Sequence, residues 1–379
     1  MTAGQLTGTA RLPRPSSGRR RTGQPVTLLP GSACSLLTTA MLIEQFDAKS
    51  DDGRLAACHR ISVSGHAEDD PNVPEVTWRR FQAWWRYGFA SEPIETWLAT
   101  DDDRHPLGCY LLWLPERENR QNAIVIALNV ARDRRRQGIG RTLAGHAAGR
   151  AEQAGRSLLM SDSRIGAPGT AFAQACGALA GIQEVRRVLR VDAALPARVA
   201  GLHASAEERA AGYSLRSWSG RTPADLLGQA SALHNAMEDA PHDASFEPLR
   251  WDADRLGQEE EQDIEAGMRI NSVAALADDS GEMAALTQVY IADPDQADWA
   301  YQGITAVTRP HRGHRLGMLV KTAMLQRLSE LEPEVRAIET GNAAANQYMI
   351  AVNEQLGFQV SDTFQNWEIE VAAALKLAE

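Results

Sequence analysis

Apolar residues along the chain recur with two different periods, which predict short strands and amphipathic helices. The run 123–130, "AIVIALNV", is short, continuous and rich in Ile and Val, and this predicts a buried strand. Ile139, Leu143 and Ala147 follow at helical spacing. The segment 131–138 between them, "ARDRRRQG", therefore lies at a junction between a strand and a helix.

The same strand–loop–helix pattern occurs again about half the chain later. Residues 303–307 form an apolar run, "RPHRGHRLG" follows it as a loop, and 318–331 have helical periodicity. The loops align as Arg135-x-x-Gly138-x-Gly140 and Arg312-x-x-Arg315-x-Gly317, with an offset of 177 residues. An internal repeat of this length predicts two related domains in tandem.

The regions around the two loops have similar element patterns. Helices are predicted at 50–61 and 77–89 in the first half, and at 223–237 and 252–269 in the second. Strands are predicted at 41–48, 105–115 and 121–130, and 271–293 reads as a hairpin with 278–281 as its turn. After each loop and helix we expect a strand, a helix and a final strand. The Ala-rich segment 193–214 reads as a connector, so we predict domains at 41–195 and 210–379.

Composition changes this picture only at the amino terminus. Residues 1–40 are rich in Gly, Pro, Ser, Thr and Arg and lack periodicity, which predicts a disordered, dispensable tail. The whole chain has 379 residues and is 44% hydrophobic, which is ordinary for a globular protein. No apolar run reaches membrane-spanning length, so we expect no membrane partner.

Charge and cysteine usage exclude two function classes. The formal net charge of −10 argues against a general nucleic-acid binder, because phosphate backbones attract basic surfaces. The four cysteines are scattered without zinc-ligand spacing, so we predict no metal site and a cytoplasmic location. Each is expected to be a small buried residue. They are Cys34, Cys58, Cys109 and Cys176.

The two loops are candidate phosphate cradles. A helix start presents free backbone N–H groups and the positive end of its dipole, and glycine lets an anion approach that backbone closely. The alternative is that the glycines only provide the positive φ that a turn needs. The second copy, at a consistent spacing, favours the cradle.

Strand, Arg-x-x-Gly-x-Gly loop and helix together resemble the coenzyme A-binding core of the GNAT acyltransferase superfamily. The segments "NVARDRRRQGIGRTL" and "VTRPHRGHRLGMLVK" carry the resemblance, with "TGNAAANQYMIAVNEQLGF" in the second half. It covers 41 to about 367, as a tandem like that of actinobacterial two-domain GNAT proteins. It implies an α/β fold with two tandem GNAT domains, each with a mixed sheet that splays between two strands.

The resemblance also implies which residues bind acyl-CoA. Pantetheine would pair with the backbone of the strand before each loop, and the pyrophosphate would bind the loop amides. Asn346 could lie near coenzyme A, or could have a capping or packing role. In the first half the candidate residues are Leu128, Asn129, Val130, Arg135, Arg136, Gln137, Gly138, Ile139 and Gly140. In the second half they are Thr305, Ala306, Val307, Arg312, Gly313, His314, Arg315, Leu316, Gly317 and Asn346.

Departures from the family bear on catalysis. Many members have a general-acid tyrosine four residues before the Gly of Gly-Phe, where this chain has Asn353 in the second half and Ala173 in the first. Asn353 and Asn346 are seven residues apart, which predicts one helix face. Glu238 or Asp239 could hold a cationic amine, or could be solvated loop residues. We take Asn353 and Glu238 as the catalytic candidates.

Three further features each have a functional explanation and a simpler structural one. Trp78, Phe81 and Trp85 could line an acceptor pocket, but their spacing favours a core helix face. The run "EEEQDIE" at 259–265 reads as a solvated helix face. His311 and His314 flank the second loop and could approach a phosphate, or could simply be solvated.

These observations predict an acetyl-CoA-dependent N-acetyltransferase that acts on a small-molecule amine, as a monomer or homodimer. The second half is expected to carry the chemistry, because it keeps the segment with Asn346 and Asn353. One alternative is a coenzyme A-binding regulatory or interaction protein with degenerate sites. Another is an aminoacyl transferase on a similar tandem fold, which the acidic net charge disfavours.

Overall fold

A computed structural model describes residues 41–88, 92, 94–237 and 243–377 of the chain. The predicted disordered tail, 1–40, lies outside the described residues, as do Cys34, Glu238 and Asp239. No helix in these ranges is both long and apolar enough to span a bilayer.

The first half contains six strands around the first candidate loop. Its elements are β1 (Leu42–Phe46), α1 (Asp52–Ser64), α2 (His66–Asp69), α3 (Trp78–Tyr87), β2 (Ile94–Thr100), β3 (Pro106–Trp113), β4 (Asn122–Val130), α4 (Ile139–Gln153), β5 (Leu158–Arg164), α5 (Pro168–Ala175) and β6 (Leu179–Arg190).

The second half repeats this order after one extra helix. Its elements are α6 (Leu195–Glu207), β7 (Tyr213–Ser219), α7 (Ala224–Ala236), α8 (Ala253–Glu265), β8 (Arg269–Ala277), β9 (Met283–Ile291), β10 (Trp299–Val307), α9 (Leu316–Leu331), β11 (Ala337–Ala343), α10 (Gln347–Leu356), β12 (Gln359–Glu370) and α11 (Val371–Ala374).

The segment predicted to be a connector is in fact a packed helix. Leu195, Val199 and Ala206 of α6 are buried in the core that α9 also lines. The sequence 193–214 is rich in Ala, which is the best helix former, and its few larger apolar residues recur at helical spacing. The connector is therefore helical, and burial of its apolar face makes α6 part of the second half's core.

All twelve strands form one mixed sheet, in the order β1-β2-β3-β4-β5-β12-β6-β11-β10-β9-β8-β7. The last strand of each half lies in the other half: β12 pairs with β5, and β6 pairs with β11. β6 and β12 also pair with each other, antiparallel, at the centre. The two halves thus exchange their final strands, and no seam separates them within the sheet.

Apolar helix faces cover the two sides of the sheet. In the first half, α1 and α3 pack over one side, where Phe81 and Trp85 stack with ring centroids 4.7 Å apart. Trp78 joins the same cluster, so the core interpretation of this aromatic helix is confirmed. α4 packs over the opposite side with Leu143 at its centre. The corresponding helices of the second half, α7 and α9, cover the sheet in the same way.

Candidate functional site

Each half contains a pair of parallel strands that separates before the candidate loop. β4 and β5 pair only from Asn122 opposite Leu158 to Ile124 opposite Met160. β10 and β11 pair only from Trp299 to Tyr301. The carboxyl-terminal parts of β4 and β10, which include 128–130 and 305–307, therefore lie beside an opening in the sheet. This is the splay that the family resemblance implied.

The first loop is shaped as an anion cradle. Arg136 and Gly138 both have left-handed backbone conformations, with φ of 66° and 88°, and α4 begins directly after them. The first backbone bonds of α4 run from the N–H groups of Arg141 and Thr142 to the carbonyl of Gly138. The amides that precede Arg141 at the helix start thus have no intrahelical acceptor, and they are free to bind an anion.

The second loop has the same backbone conformation with its residue types exchanged. Gly313 and Arg315, which lie 177 positions after Arg136 and Gly138, have φ of 93° and 55°. An arginine in the left-handed region costs about 1 kcal/mol relative to glycine. Each loop therefore contains one arginine with a positive φ, which an arginine rarely adopts. The same loop shape is thus present in both halves, although the residue types differ.

The first arginine of each loop ties the loop to the preceding strand. Nε of Arg135 donates to the carbonyl of Val130 at 3.3 Å, and Nε of Arg312 donates to the carbonyl of Val307 at 3.2 Å. Arg135 also forms an ion pair with Asp69 of α2, at 2.6 Å. Its side chain holds the loop in place, and its backbone N–H donates to the carbonyl of Arg132 at 3.4 Å, so the candidate anion-binding amides begin at Arg136.

Side chains of the second loop are engaged with neighbouring elements. Nη1 of Arg315 donates to Oγ of Ser205 in α6 at 2.8 Å. Nδ1 of His311 lies 2.8 Å from the hydroxyl of Tyr213, and the ring of His314 lies 5.4 Å from the same tyrosine ring. The two histidines therefore anchor the second loop to Tyr213 of β7. This differs from both expectations for them, a phosphate contact and simple solvation.

A cleft of about 580 Å³ opens beside the first loop. An ideal Cβ placed on Gly138 would meet no described atom within 4 Å, whereas one on Gly140 would lie 3.2 Å from the Phe172 ring. The space next to the loop is thus open on the side of Gly138. The cleft is lined by Glu68, Arg132, Arg135, Arg136, Gly166, Ala167, Pro168 and Ala171. Arg136 in this set suits an anionic ligand such as a diphosphate, whereas Arg132 and Arg135 are already ion-paired with Glu68 and Asp69.

The two candidate asparagines of the second half have different roles. Asn346 is the N-cap of α10, and its side chain accepts a hydrogen bond from the backbone N–H of Met349. The prediction that it shares a helix face with Asn353 was wrong, because the helix begins after it. Asn353 is fully buried, and its Nδ2 donates to Oδ1 of Asn342 at 2.8 Å. Its counterpart Ala173 is also buried, so neither half presents a hydroxyl there.

A cluster of polar side chains lies at the centre of the sheet, where β5, β12 and β6 are neighbours. Asp162 of β5 and Glu184 of β6 belong to it, together with Asp243, which accepts a hydrogen bond from Nδ2 of Asn366 at 2.8 Å. Burial, with the nearby carboxylates of Asp162 and Asp243, raises the pKa of Glu184 to about 8. Sequence reasoning missed this group because its members come from separate strands. Only the strand exchange brings them together.

The acidic run on α8, predicted to be a solvated face, is solvated only in part. Glu260 is buried and accepts hydrogen bonds from the backbone N–H and the hydroxyl of Thr222, at 2.7 and 2.5 Å. Burial and the neighbouring carboxylates of Glu259 and Glu260 raise the pKa of Asp263 to about 8. Gln288 of β9 donates a hydrogen bond to Glu260 at 3.4 Å, whereas Glu261, Ile264 and Glu265 of the same run are exposed.

Within the described residues, the cysteines and the other potential metal ligands form no further candidate site. Cys58 and Cys109 are free and fully buried, which confirms their packing role, while Cys176 is free and half-buried. Within the described ranges, no group of three or more His, Cys, Asp or Glu side chains is arranged to hold a metal ion.

Comparison with known proteins agrees with this geometry. Residues 51–177 match the sequence profile of the acetyltransferase (GNAT) family. A search of curated protein sequences gave no significant match. Among solved structures, a tandem GNAT protein from the clavulanic acid biosynthesis pathway superposes with a TM-score of 0.71 and 27% identity, over 87% of this chain and 98% of that one.

A second solved structure supports the fold alone. The GCN5-related N-acetyltransferase from Sphaerobacter thermophilus superposes with a TM-score of 0.62 at 14% identity, over 87% of this chain and 96% of that one. The mixed sheet with two splays, the repeated loop and these similarities agree with each other. Residues 51–177 are thus a GNAT domain by sequence, and the chain as a whole is a tandem GNAT protein in its fold.

Proposed function

We propose that this protein is an N-acetyltransferase that transfers the acetyl group of acetyl-CoA to the amine of a small molecule. The observation that carries the proposal is the repeated cradle. The same loop conformation follows a splayed strand in both halves, although glycine and arginine have exchanged places within it. GNAT acyltransferases as a family transfer acyl groups, and the acetyl donor and the small amine are the finer parts of the proposal.

The donor would be held by backbone groups of this chain. The amides at 136–140 and 313–317 would bind the pyrophosphate, and 128–130 and 305–307 would pair with pantetheine in the splay. Both strands contain a bulge near this point: Ile126 has no register partner in β3, and the register of β10 shifts between Gln302 and Thr305. A strand N–H freed by such a bulge could stabilise the oxyanion that forms on the thioester.

The acceptor would approach the polar cluster at the centre of the sheet. There, burial raises the pKa of Glu184 to about 8 and that of Asp162 to about 6, so at neutral pH the negative charge that favours a cationic amine would come from Asp162. An ammonium must lose a proton before it attacks, and a carboxylate at hydrogen-bond distance could take it. Glu238, the sequence-based candidate for holding the amine, remains a prediction because it lies outside the described residues.

We assign the chemistry to the second half, with the first half as a second donor site. Asn353 of α10, which donates a hydrogen bond to Asn342, would face the sulfur end of the donor. A second candidate function is a coenzyme A-binding protein without catalysis. It is favoured by one observation: Ala173 and Asn353 both occupy the position where many family members have a tyrosine acid.

Thiol release from acetyl-CoA in the presence of an amine panel tests the proposal. We expect release with at least one amine and a product mass increased by one acetyl group. Coenzyme A binding without thiol release would favour the non-catalytic candidate. Absence of coenzyme A binding would contradict both.

A further inference from the structure

Helix α9 buries a lysine that its first-half counterpart lacks. Lys321 is 2% exposed, and its Nζ has no hydrogen-bond partner among the described residues. The ammonium lies 5.1 Å from the centre of the Phe358 ring. A buried, unpaired cation is costly to the fold. Ala144 stands 177 positions earlier on α4, so the same helix packs without an ammonium.

Helix spacing and one ring contact locate the Lys321 side chain. Lys321 follows Gly317 by four residues, which places both on one helix face. An ideal Cβ on Gly317 would lie 3.7 Å from Val307, the last residue of β10. Phe358 follows α10 directly, and its N–H donates to the carbonyl of Asn353 at 3.0 Å. Lys321 therefore lies near the end of α10, on the helix face whose Gly317 lies against the end of β10.

A second orphan polar atom accompanies the lysine. Asn353 uses its Nδ2 on Asn342, but its Oδ1 is buried without a partner in the part of the chain that the structure describes. The region next to Phe358 thus contains one buried donor and one buried acceptor, both unsatisfied. A thiol matches this pair chemically, because its sulfur accepts a hydrogen bond and its S–H donates one.

We propose that Lys321 is the proton donor to the thiolate that leaves in the second half, with Asn353 positioning the resulting thiol. The inference rests on the acetyl transfer proposed above. As the amine nitrogen bonds to the thioester carbon, the C–S bond breaks and its electron pair stays on sulfur. The Lys321 ammonium passes one proton to that sulfur and becomes a neutral amine. The proton lost by the attacking amine goes to solvent, and water restores the ammonium.

The acidity of the lysine fits this role. Burial lowers the pKa of Lys321 to about 7. A simple thiol has a pKa of about 8.5, so a proton moves downhill from this ammonium to a thiolate. A lysine with an ordinary pKa would be too weak an acid for the transfer. The substitution of tyrosine by Asn353 then leaves the second half with a different acid rather than with none.

A binding measurement tests the contact without any turnover. In a Gly138→Asp background, which weakens the first site, calorimetry compares coenzyme A with desulfo-coenzyme A, which lacks the sulfur. We expect coenzyme A to bind about tenfold more tightly than desulfo-coenzyme A. In Lys321→Met, the ratio of these two affinities should fall to a value between about 1 and 2. Lys49→Met is the matched control, since Lys49 also lies over an aromatic ring, at 5.9 Å from the Tyr87 centroid.

Turnover adds the second readout. We expect kcat of the parent to fall as the pH rises above about 7, since Lys321 then loses its proton. Lys321→Met and Lys321→Arg should each lower kcat by roughly 100-fold and remove that dependence, with KM almost unchanged. Arg keeps the positive charge and serves as the second variant, should Met fail to fold.

The outcomes separate the two proposals. An unchanged ligand ratio in Lys321→Met, or equal binding of the two ligands by the parent, overturns the role of Lys321. If Lys321→Met lowers the affinity ratio as expected, the contact between Lys321 and the sulfur is upheld. If, in addition, the parent chain releases no thiol with any amine, the proposed acetyl transfer is refuted. A chain in the Gly138→Asp background that binds neither ligand overturns the inference as well.

Discussion

The substitution Gly138→Asp tests whether the first loop is an anion cradle. Gly138 has φ of 88°, and an added Cβ would meet no described atom within 4 Å. The aspartate therefore projects into open space beside the cleft rather than into the core. Two effects are expected, one on the stability of the fold and one on the binding of an anion.

The two effects differ in size and can be separated. A residue with a Cβ in the left-handed region costs about 1–2 kcal/mol of stability. A carboxylate about 5 Å from a phosphate charge, at an effective dielectric constant near 20, costs about 3 kcal/mol of binding. That corresponds to roughly a 100-fold loss of affinity, and tenfold is the minimum we expect after partial screening by salt.

Calorimetry with coenzyme A at low ionic strength measures the loss. The second site is blocked by Gly317→Asp in every sample, so that only the first loop binds. Gly212→Asp is the control for backbone strain, because Gly212 has the same φ of 88° and the same open surroundings. We expect similar melting temperatures for the two aspartate variants, with affinity lost only in Gly138→Asp. A folded Gly138→Asp chain with unchanged affinity would refute the cradle.

Three further results are expected. With saturating acceptor, Gly317→Asp should abolish turnover and Gly138→Asp should preserve most of it; the reverse pattern of initial rates would assign the chemistry to the first half. Burial raises the pKa of Glu184 to about 8, so the folded chain keeps a proton that the unfolded chain loses above about pH 5. The free energy of unfolding should therefore fall as the pH rises from 5 to 8. Glu184→Gln should therefore gain melting temperature relative to the parent across that interval, and a constant difference would contradict the shift. Glu260→Ala should cost about 2–4 kcal/mol in chemical denaturation, because both donors of Thr222 lose their buried acceptor, and a cost below about 1 kcal/mol would contradict that account.

Local patterns were sufficient to predict the elements that form the candidate site. The Ile- and Val-rich run before the first loop is β4, and the periodic residues after it form α4. Each of these depends on neighbours within a few residues, so periodicity alone identifies it. The repeat offset also predicted where the second loop lies. It could not predict that Arg315 would adopt the conformation of Gly138, since intrinsic preference favours glycine there.

Predictions failed where tertiary packing decides the surroundings of a residue. The run at 259–265 has the composition of a solvated face, yet Glu260 is buried because Thr222 supplies two donors to it. The Ala-rich segment at 193–214 forms a packed helix because α9 offers an apolar surface to α6. In both cases, the deciding partner is distant in sequence, and no local pattern reports it.

The exchange of final strands links these failures to function. β6 belongs to the first half by sequence but lies beside β11 at the second splay, and β12 lies beside β5 at the first. Each splay is therefore bordered by strands from both halves, and the polar cluster with Asp162 and Glu184 forms only where these strands meet. The sequence repeat suggests two independent domains, whereas the sheet makes each half supply part of the other's surroundings. A change near one donor site therefore acts on a sheet that also carries the other.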